Sequence, residues 1–328
     1  MKALLCKQHG PPESLVFDDV EPPDCGKYGV RIDVRAAGVN FPDVLITNNE
    51  YQIKPPLPFS PGGEVSGVVS EVGAGVTRLK VGDRAIGIAG YGGFAEQVVL
   101  PEDKCFILPE SMDFDVGAAF SLTYGTGYYA LVQRAQLKDG ETLLVHGASG
   151  GVGLAAVEIG KALGAKIIAT GGSDDKLAVL RDKYGVDHTI NYRTETKWKD
   201  KVKQLTGGHG ADVIYDPVGG EIFEQSLRCI NWYGRLLVIG FASGKIPMAK
   251  ANYILLKSCS IVGVYWGSFT GREPEVNAAN MEELFKMHAA GTLNPNISHR
   301  FPLERGAEAL QALVDRKVVG KAVLTVSS

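Results

Sequence analysis

Residues 142–165 read TLLVHGASGGVGLAAVEIGKALGA, and this stretch decides the fold. Thr142 to His146 is a short apolar strand. A tight glycine turn follows, Gly147-Ala148-Ser149-Gly150-Gly151-Val152-Gly153. A helix then carries Val152, Ala156, Ile159 and Leu163 on one face, and Gly164 stands where a C-cap belongs. Small residues at 148, 150 and 153 let the backbone approach a pyrophosphate, and the free N–H groups at the helix N-terminus face that anion. Ala148 replaces the first glycine of G-x-G-x-x-G, so the strict fingerprint is not met. The position between strand and helix is what raises this turn above a glycine-rich junction kept for packing alone.

Outward from this turn, the chain changes texture at Thr123. Before it, short alternations at Val30–Val34, Val65–Val72, Arg84–Ile88 and Ala95–Leu100 are broken by Gly, Pro and Asp clusters, which predicts a β-rich region. After it, strand and helix patterns alternate. Lys166–Thr170, His188–Tyr192, Asp212–Tyr215, Arg235–Ile239 and Ser260–Tyr265 join Thr142–His146 as six strands, with the expected order 3-2-1-4-5-6. Ser173 and Gly185 bracket a helix with Leu177, Leu180 and Tyr184 on its inner face. From about Gly267 the style changes again, to helices at Val276–Ala290 and Leu303–Val314 and a strand at Lys321–Val326. This tail is expected to pack back on the first region. The α/β domain would then be an insertion, with a cleft between the two domains.

Composition narrows the function classes. The 328 residues suit about two domains, and 45% hydrophobic with 22% charged residues suits packed cores. A net charge of −3 favours neither nucleic acid nor an anionic membrane. No apolar run reaches the ~20 residues of a membrane helix. MKALLCKQHGPPE has charges where a signal peptide needs an apolar core, so a soluble, unprocessed, cytoplasmic chain is expected. Cys6, Cys25, Cys105, Cys229 and Cys259 are scattered, and none forms C-x-x-C, which argues against a disulfide framework or a zinc knot. His9, His188, His209, His288 and His299 share no metal spacing, and His146 reads as an end-of-strand packing residue.

Several ordered motifs carry a family resemblance. They are Ala37-Gly38-Val39-Asn40-Phe41-Pro42-Asp43, Pro58-Phe59-Ser60-Pro61-Gly62-Gly63-Glu64, Gly82-Asp83-Arg84, Thr126, the glycine turn, Ile190-Asn191-Tyr192, Asp216-Pro217-Val218-Gly219-Gly220, Gly240-Phe241 and Gly320-Lys321. Together they resemble the zinc-free quinone oxidoreductase branch of the medium-chain dehydrogenase/reductase superfamily. The resemblance implies a doubly wound Rossmann sheet, residues 123–266, inserted in a GroES-like β-rich domain, residues 1–122 plus 267–328. It also implies homodimers that pair sheet edges at the sixth strand, here about 260–266. Where the zinc alcohol dehydrogenases have a cysteine, this sequence has Asn40. Where they have histidine before glutamate, it has Gly63-Glu64, and no cysteine lies between Cys105 and Cys229. Without a Lewis acid, alkoxide stabilisation is lost, and acceptors that delocalise the incoming charge, quinones and conjugated enones, are favoured over simple alcohols.

The same resemblance distributes roles. Gly150, Gly151, Val152 and Gly153 hold the pyrophosphate. Ser173, Lys176 and Tyr192 fall where related reductases contact a 2′-phosphate, and Gly171 brings no carboxylate to the strand tip, which favours NADPH over NADH. Asp174 and Asp175 argue the other way unless they serve the helix dipole. Asn40 and Asp43 flank the nicotinamide or cap the short helix after Phe41; Tyr51 donates a proton, stacks, or is a loop aromatic. Thr126 bonds the carboxamide or caps a helix. Gly240, Phe241, Val264, Tyr265 and Trp266 line the nicotinamide side, with Trp266 open to an interface role, and Lys321 is a cofactor-proximal cation. The leading expectation is an NADPH-dependent quinone reductase with no zinc and no nucleic-acid or membrane partner. The alternatives are a 2-enoyl or alkenal reductase and an NADPH-binding structural or sensor protein.

Overall fold

The computed structural model describes residues 1–327. It contains two units, Met1–Leu122 with Pro295 onward, and Thr123–Asn294.

In the first unit β1 (Lys2–Leu5) pairs antiparallel with β2 (Val16–Asp19). β3 (Gly29–Val39) buries Val30, Ile32 and Val34 and leaves Arg31, Asp33 and Arg35 half-buried, the period-two alternation of a sheet with one apolar face. It is followed by α1 (Phe41–Thr47), β4 (Glu64–Val72), β5 (Arg84–Ile88), β6 (Gln97–Pro101), β7 (Cys105–Ile107) and α2 (Phe114–Ala118). The β3–β4 register shifts twice, at Arg31/Ile32 and Val34/Ala36. Each irregularity bends the pair, and the opposite edge of β3 pairs with β6 through Gly29–Asp33. The core gathers Val30, Ile32, Val65, Val69, Phe94 and Leu100.

The second unit opens in α3 (Ser121–Tyr128) and turns to β8 (Thr142–Val145), α4 (Gly151–Ala162), β9 (Lys166–Gly171), α5 (Asp174–Tyr184), β10 (His188–Asn191), α6 (Trp198–Leu205), β11 (Ala211–Asp216), α7 (Gly220–Ser226), β12 (Ile230–Val238), α8 (Ala251–Lys257) and β13 (Ser260–Gly263). The sheet order is β10-β9-β8-β11-β12-β13 with every pairing parallel, the doubly wound order expected from the sequence. Leu143, Leu144 and Val145 of β8 have no exposed surface, as a central strand covered on both faces requires. Ser173 caps α5, and Gly185 ends it in the left-handed region at φ 56°.

The helices α9 (Trp266–Arg272) and α10 (Pro274–Ala289) belong to this second unit, which corrects the boundary expected after 266. Their packing gives the reason. Trp266 is buried against Gly125, where a Cβ would stand 2.6 Å from the indole, and its Nε1–H reaches Asn277 Oδ1 at 3.2 Å. Tyr129 stacks on Phe269 at 4.1 Å, and Met281 and Leu284 are fully buried.

The first unit resumes with β14 (Ile297–Pro302), α11 (Gly306–Val314) and β15 (Lys321–Thr325). β15 lies between β14 and β3 in the sheet order β14-β15-β3-β4-β5-β7, so the end of the chain is built into the first unit's sheet. The five cysteines are free and buried. No helix among the described residues is long and apolar enough to cross a membrane.

Candidate active site

The glycine turn lies at the carboxyl end of β8, where the strand order reverses between β8 and β11. Gly147 adopts φ 55°, Ala148 N–H donates to Thr170 O on β9 (3.0 Å), and Gly150 N–H donates to Gly147 O (2.9 Å). Gly150 is the N-cap of α4, and no side chain caps that helix. The N–H groups of its first turn therefore lie outside the helical ladder and are available to an anion. The glycines differ in what demands them. A Cβ at Gly153 would stand 2.4 Å from Gly147 O, so strand–helix packing requires glycine there. A Cβ at Gly150 would meet only Gly147 O at 3.4 Å, with φ at −82°, so neither packing nor backbone conformation requires glycine there. The space it leaves bare over the helix N-terminus fits an approaching phosphate group.

His146, directly before the turn, is fully buried. Its Nδ1 lies 2.7 Å from Thr170 Oγ1 and its Nε2 2.8 Å from Ser226 Oγ. Ser226 Oγ donates to Ile222 O, so it accepts from Nε2–H, and Nδ1 accepts from Thr170. Burial drives the imidazole down to about 3. It is a neutral strut between β8, β9 and α7, as the sequence reading expected.

At the tip of β9, Ser173 Oγ accepts the Lys176 N–H at 3.5 Å, and Tyr192 N–H donates to Gly171 O (3.0 Å). Asp174 and Asp175 are exposed in the first turn of α5. Sequence reasoning missed Arg193. A Cβ at Gly172 would fall 2.9 Å from Arg193 Nε, so this bare glycine is what admits the guanidinium to the strand tip. The legible signal was a cation directly after the third strand.

On the far side of the switch point, Asp216 closes β11 with Oδ1 accepting from Val218 N–H (2.8 Å) and Gly219 N–H (3.0 Å). Burial raises this carboxyl to about 6. Pro217 O and Val218 O accept from Ala242 and Ser243 N–H, both at 3.0 Å, which holds Gly240 and Phe241 beside that loop. Phe241 is exposed, and Tyr265 is 48% exposed. Val264 is buried, with its N–H on Val238 O (3.1 Å). Trp266 is buried inside the unit against Gly125 and Asn277. Thr126 is half-buried on α3.

In the first unit, Asn40, Asp43, Glu64 and Lys321 converge and are all buried. Asn40 is the N-cap of α1; its N–H donates to Asp43 Oδ2 (2.8 Å), and Asp43 Oδ1 accepts from Gly62 N–H (3.2 Å). Asn40 Nδ2 donates to Glu64 Oε1 (2.9 Å) and Gly38 O (3.3 Å), while its Oδ1 accepts from Lys321. Lys321 Nζ also donates to Val39 O (3.2 Å) and to Glu64 Oε1 (2.8 Å). Glu64 Oε2 accepts from Leu122 N–H (2.9 Å).

Both ends of the Asn40 amide and all three Lys321 donors are therefore engaged inside the protein. Asn40 and Asp43 thus make the helix cap that the sequence left open as one of their roles. Asp43 carries the perturbed group of the cluster: burial drives it up to about 7, against the pull of its N–H donors and of Lys321. Tyr51 packs half-buried against the same unit's core.

Comparisons with known proteins bear on both units. Residues 26–110 match the family described as alcohol dehydrogenase GroES-like domain, and residues 151–284 match that described as zinc-binding dehydrogenase. The chain is 42% identical to the quinone oxidoreductase-like protein 2 homolog of Nematostella vectensis over 98% of this chain and 88% of that one. A structure of Escherichia coli quinone oxidoreductase complexed with NADPH superposes with TM-score 0.91 at 31% identity, covering 99% of this chain and 100% of that one. The CurK enoyl reductase superposes with TM-score 0.89 at 28% identity, covering 99% of each.

The zinc named in one family description does not fit the residues here. Among the described residues no three His, Cys, Asp or Glu side chains converge as a metal site. Where the cluster comes closest, the Lys321 ammonium already stands on Glu64 and Asn40, and a second cation there would meet like charge at hydrogen-bonding distance.

Proposed function

The chain belongs to the quinone oxidoreductase branch of the medium-chain dehydrogenase/reductase superfamily, and from that membership we propose that it is an NADPH-dependent quinone oxidoreductase working without a metal. The single observation that carries this reading is the turn at Gly147–Gly153, with a glycine at 150 that the protein's own packing does not need. When bound, the reduced nicotinamide supplies a hydride to an electron-poor conjugated acceptor. The protein binds, orients and excludes water. Gly150, Gly151, Val152 and Gly153 receive the pyrophosphate on the α4 N-terminus. Ser173, Lys176, Tyr192 and Arg193 surround the β9 tip with donors and positive charge suited to a 2′-phosphate, the group that separates NADPH from NADH. Gly240, Phe241, Val264, Tyr265 and Thr126 serve the nicotinamide end. Asp43 and Tyr51 supply the acidic groups near the acceptor, with Asn40 and Lys321 holding Asp43 in place.

A homodimer joined at β13 belongs to the same reading. Among the described residues that strand is the outer edge of its sheet, bonded only to β12, and such an edge invites a second copy. Leu255 and Leu256 on the neighbouring α8 are 78% and 66% exposed. A cytoplasmic setting is consistent with five free cysteines.

The likeness to an enoyl reductase favours one alternative, hydride delivery to an enone or enoyl thioester β-carbon. Following NADPH absorbance with a series of quinones, enones and enoyl thioesters separates the two. Turnover with quinones, and a preference of at least about tenfold for NADPH over NADH, supports the first reading. Turnover restricted to enones or enoyl thioesters replaces it.

A further inference from the structure

Resting on the proposed NADPH binding, we infer that Glu158 is a positioning residue, whose buried carboxyl group clamps α3 to α4 and so fixes Thr126, at the nicotinamide end, relative to the glycine turn. Glu158 lies on α4, the helix whose N-terminus receives the pyrophosphate in that reading. It is 6% exposed and stands between Val157 and Ile159, which have no exposed surface. Glutamate is rarely buried so deep unless it is paired. Here the partners come from two distant parts of the second unit. Oε2 accepts from the Tyr124 hydroxyl on α3, and Oε1 accepts from Asn294 N–H (2.7 Å), beyond α10. Tyr124 is itself buried, and Tyr184 OH on α5 donates to Asn294 O (3.1 Å), which holds that segment in turn.

The packing of α3 shows why a clamp is needed. A Cβ at Gly125 would stand 2.6 Å from the Trp266 ring, and one at Gly127 would stand 3.0 Å from Ile159 Cδ1. Neither glycine has a positive φ, so close neighbours account for both. The helix is thus pressed between α9, which follows Val264 and Tyr265, and α4, which follows the glycine turn. Thr126 lies between the two glycines in sequence. Contacts made by bare glycine and apolar side chains are not directional, and they leave the register of two helices free. The Tyr124–Glu158 hydrogen bond is directional and buried, and it fixes that register. A pair kept for stability alone could be replaced by apolar side chains at little loss.

Without the Tyr124 hydroxyl, Oε2 is left buried and unpaired. Relief comes from movement of α3, which carries Thr126 with it. The glycine turn stays in place, because Ala148 N–H on Thr170 O and Gly150 N–H on Gly147 O hold it independently. Loss of the clamp therefore affects the nicotinamide end of a bound nucleotide and spares the pyrophosphate end.

The test is calorimetry on the full chain with two probes, NADPH and 2′-phospho-ADP-ribose, which has the pyrophosphate and both riboses but no nicotinamide. Tyr124→Phe and Glu158→Leu should bind NADPH about fivefold or more weakly, and 2′-phospho-ADP-ribose within about twofold of wild type. Glu158→Gln should restore NADPH binding, since its amide oxygen accepts from Asn294 N–H and its Nε2–H donates to the Tyr124 oxygen. The double variant Tyr124→Phe/Glu158→Leu buries no charge, and it should show the same selective loss if either single variant fails to fold. Equal loss of both nucleotides, or loss of neither, in the folded variants overturns the inference. Unchanged hydrogen exchange across α3 in unliganded Tyr124→Phe overturns it as well. Wild type that binds neither nucleotide contradicts the proposed function itself.

Discussion

His146 shows how one residue can sit beside the cofactor turn and still be structural. Both ring nitrogens are engaged, by Thr170 and Ser226, and Trp198 meets the ring edge-on at 5.2 Å. With its folded value near 3 and an unfolded value near 6.5, the unfolded chain binds more protons below neutrality. Its contribution to stability is whole above about pH 6.5 and is lost as pH falls toward 3, at up to about 1.4 kcal/mol per pH unit. Urea unfolding at pH 7.5 and pH 5 should therefore show wild type losing about 1.5–2 kcal/mol more than His146→Gln over that interval. Equal losses in both proteins would show that the imidazole is not held neutral. Residues also mark the limit of sequence reading. Asn40 was legible as either a cap or a ligand group, and only the structure shows its amide committed to Glu64, Gly38 and Lys321. Lys321 is 281 positions away from Asn40, and no local pattern announces such a pair.

Elements were far more legible, because strand and helix periods are local properties. The six strands of the doubly wound sheet and their order follow from apolar runs and the right-handed crossover. The turn before α4 followed from small residues at fixed spacing. What escaped was set by tertiary contact. β14 is polar enough to pass for a loop, with Ser298, His299 and Arg300 at its centre, and it exists because β15 pairs with it. Likewise α10 reads as an amphipathic helix wherever it lies; Trp266 and Asn277 decide which unit claims α9 and α10. The element-scale prediction concerns two glycines of one turn. Gly150→Ala should melt within about 1 kcal/mol of wild type, since its Cβ fits at 3.4 Å, yet bind NADPH at least about tenfold more weakly by calorimetry. Gly153→Ala, whose Cβ would fall 2.4 Å from Gly147 O, should lose about 1–3 kcal/mol of stability as well as affinity. Unchanged affinity in Gly150→Ala would remove the turn from the binding site.

At the scale of the whole molecule, the second unit carries one open sheet edge, β13, and one apolar helix face on α8, which packs on β12. If a second copy covers them, Leu255→Asp with Leu256→Asp should convert a sedimenting dimer to monomer, with secondary structure retained by circular dichroism. A wild-type monomer would contradict the assembly without touching the reaction. The central claim is hydride transfer from NADPH to a quinone without a metal. The most direct measurement is a single turnover of NADPH with a quinone, in protein stripped by a strong chelator and assayed in its presence. The account predicts NADPH oxidation at the rate of untreated protein. No oxidation, or oxidation that returns only when zinc is added back, would contradict it.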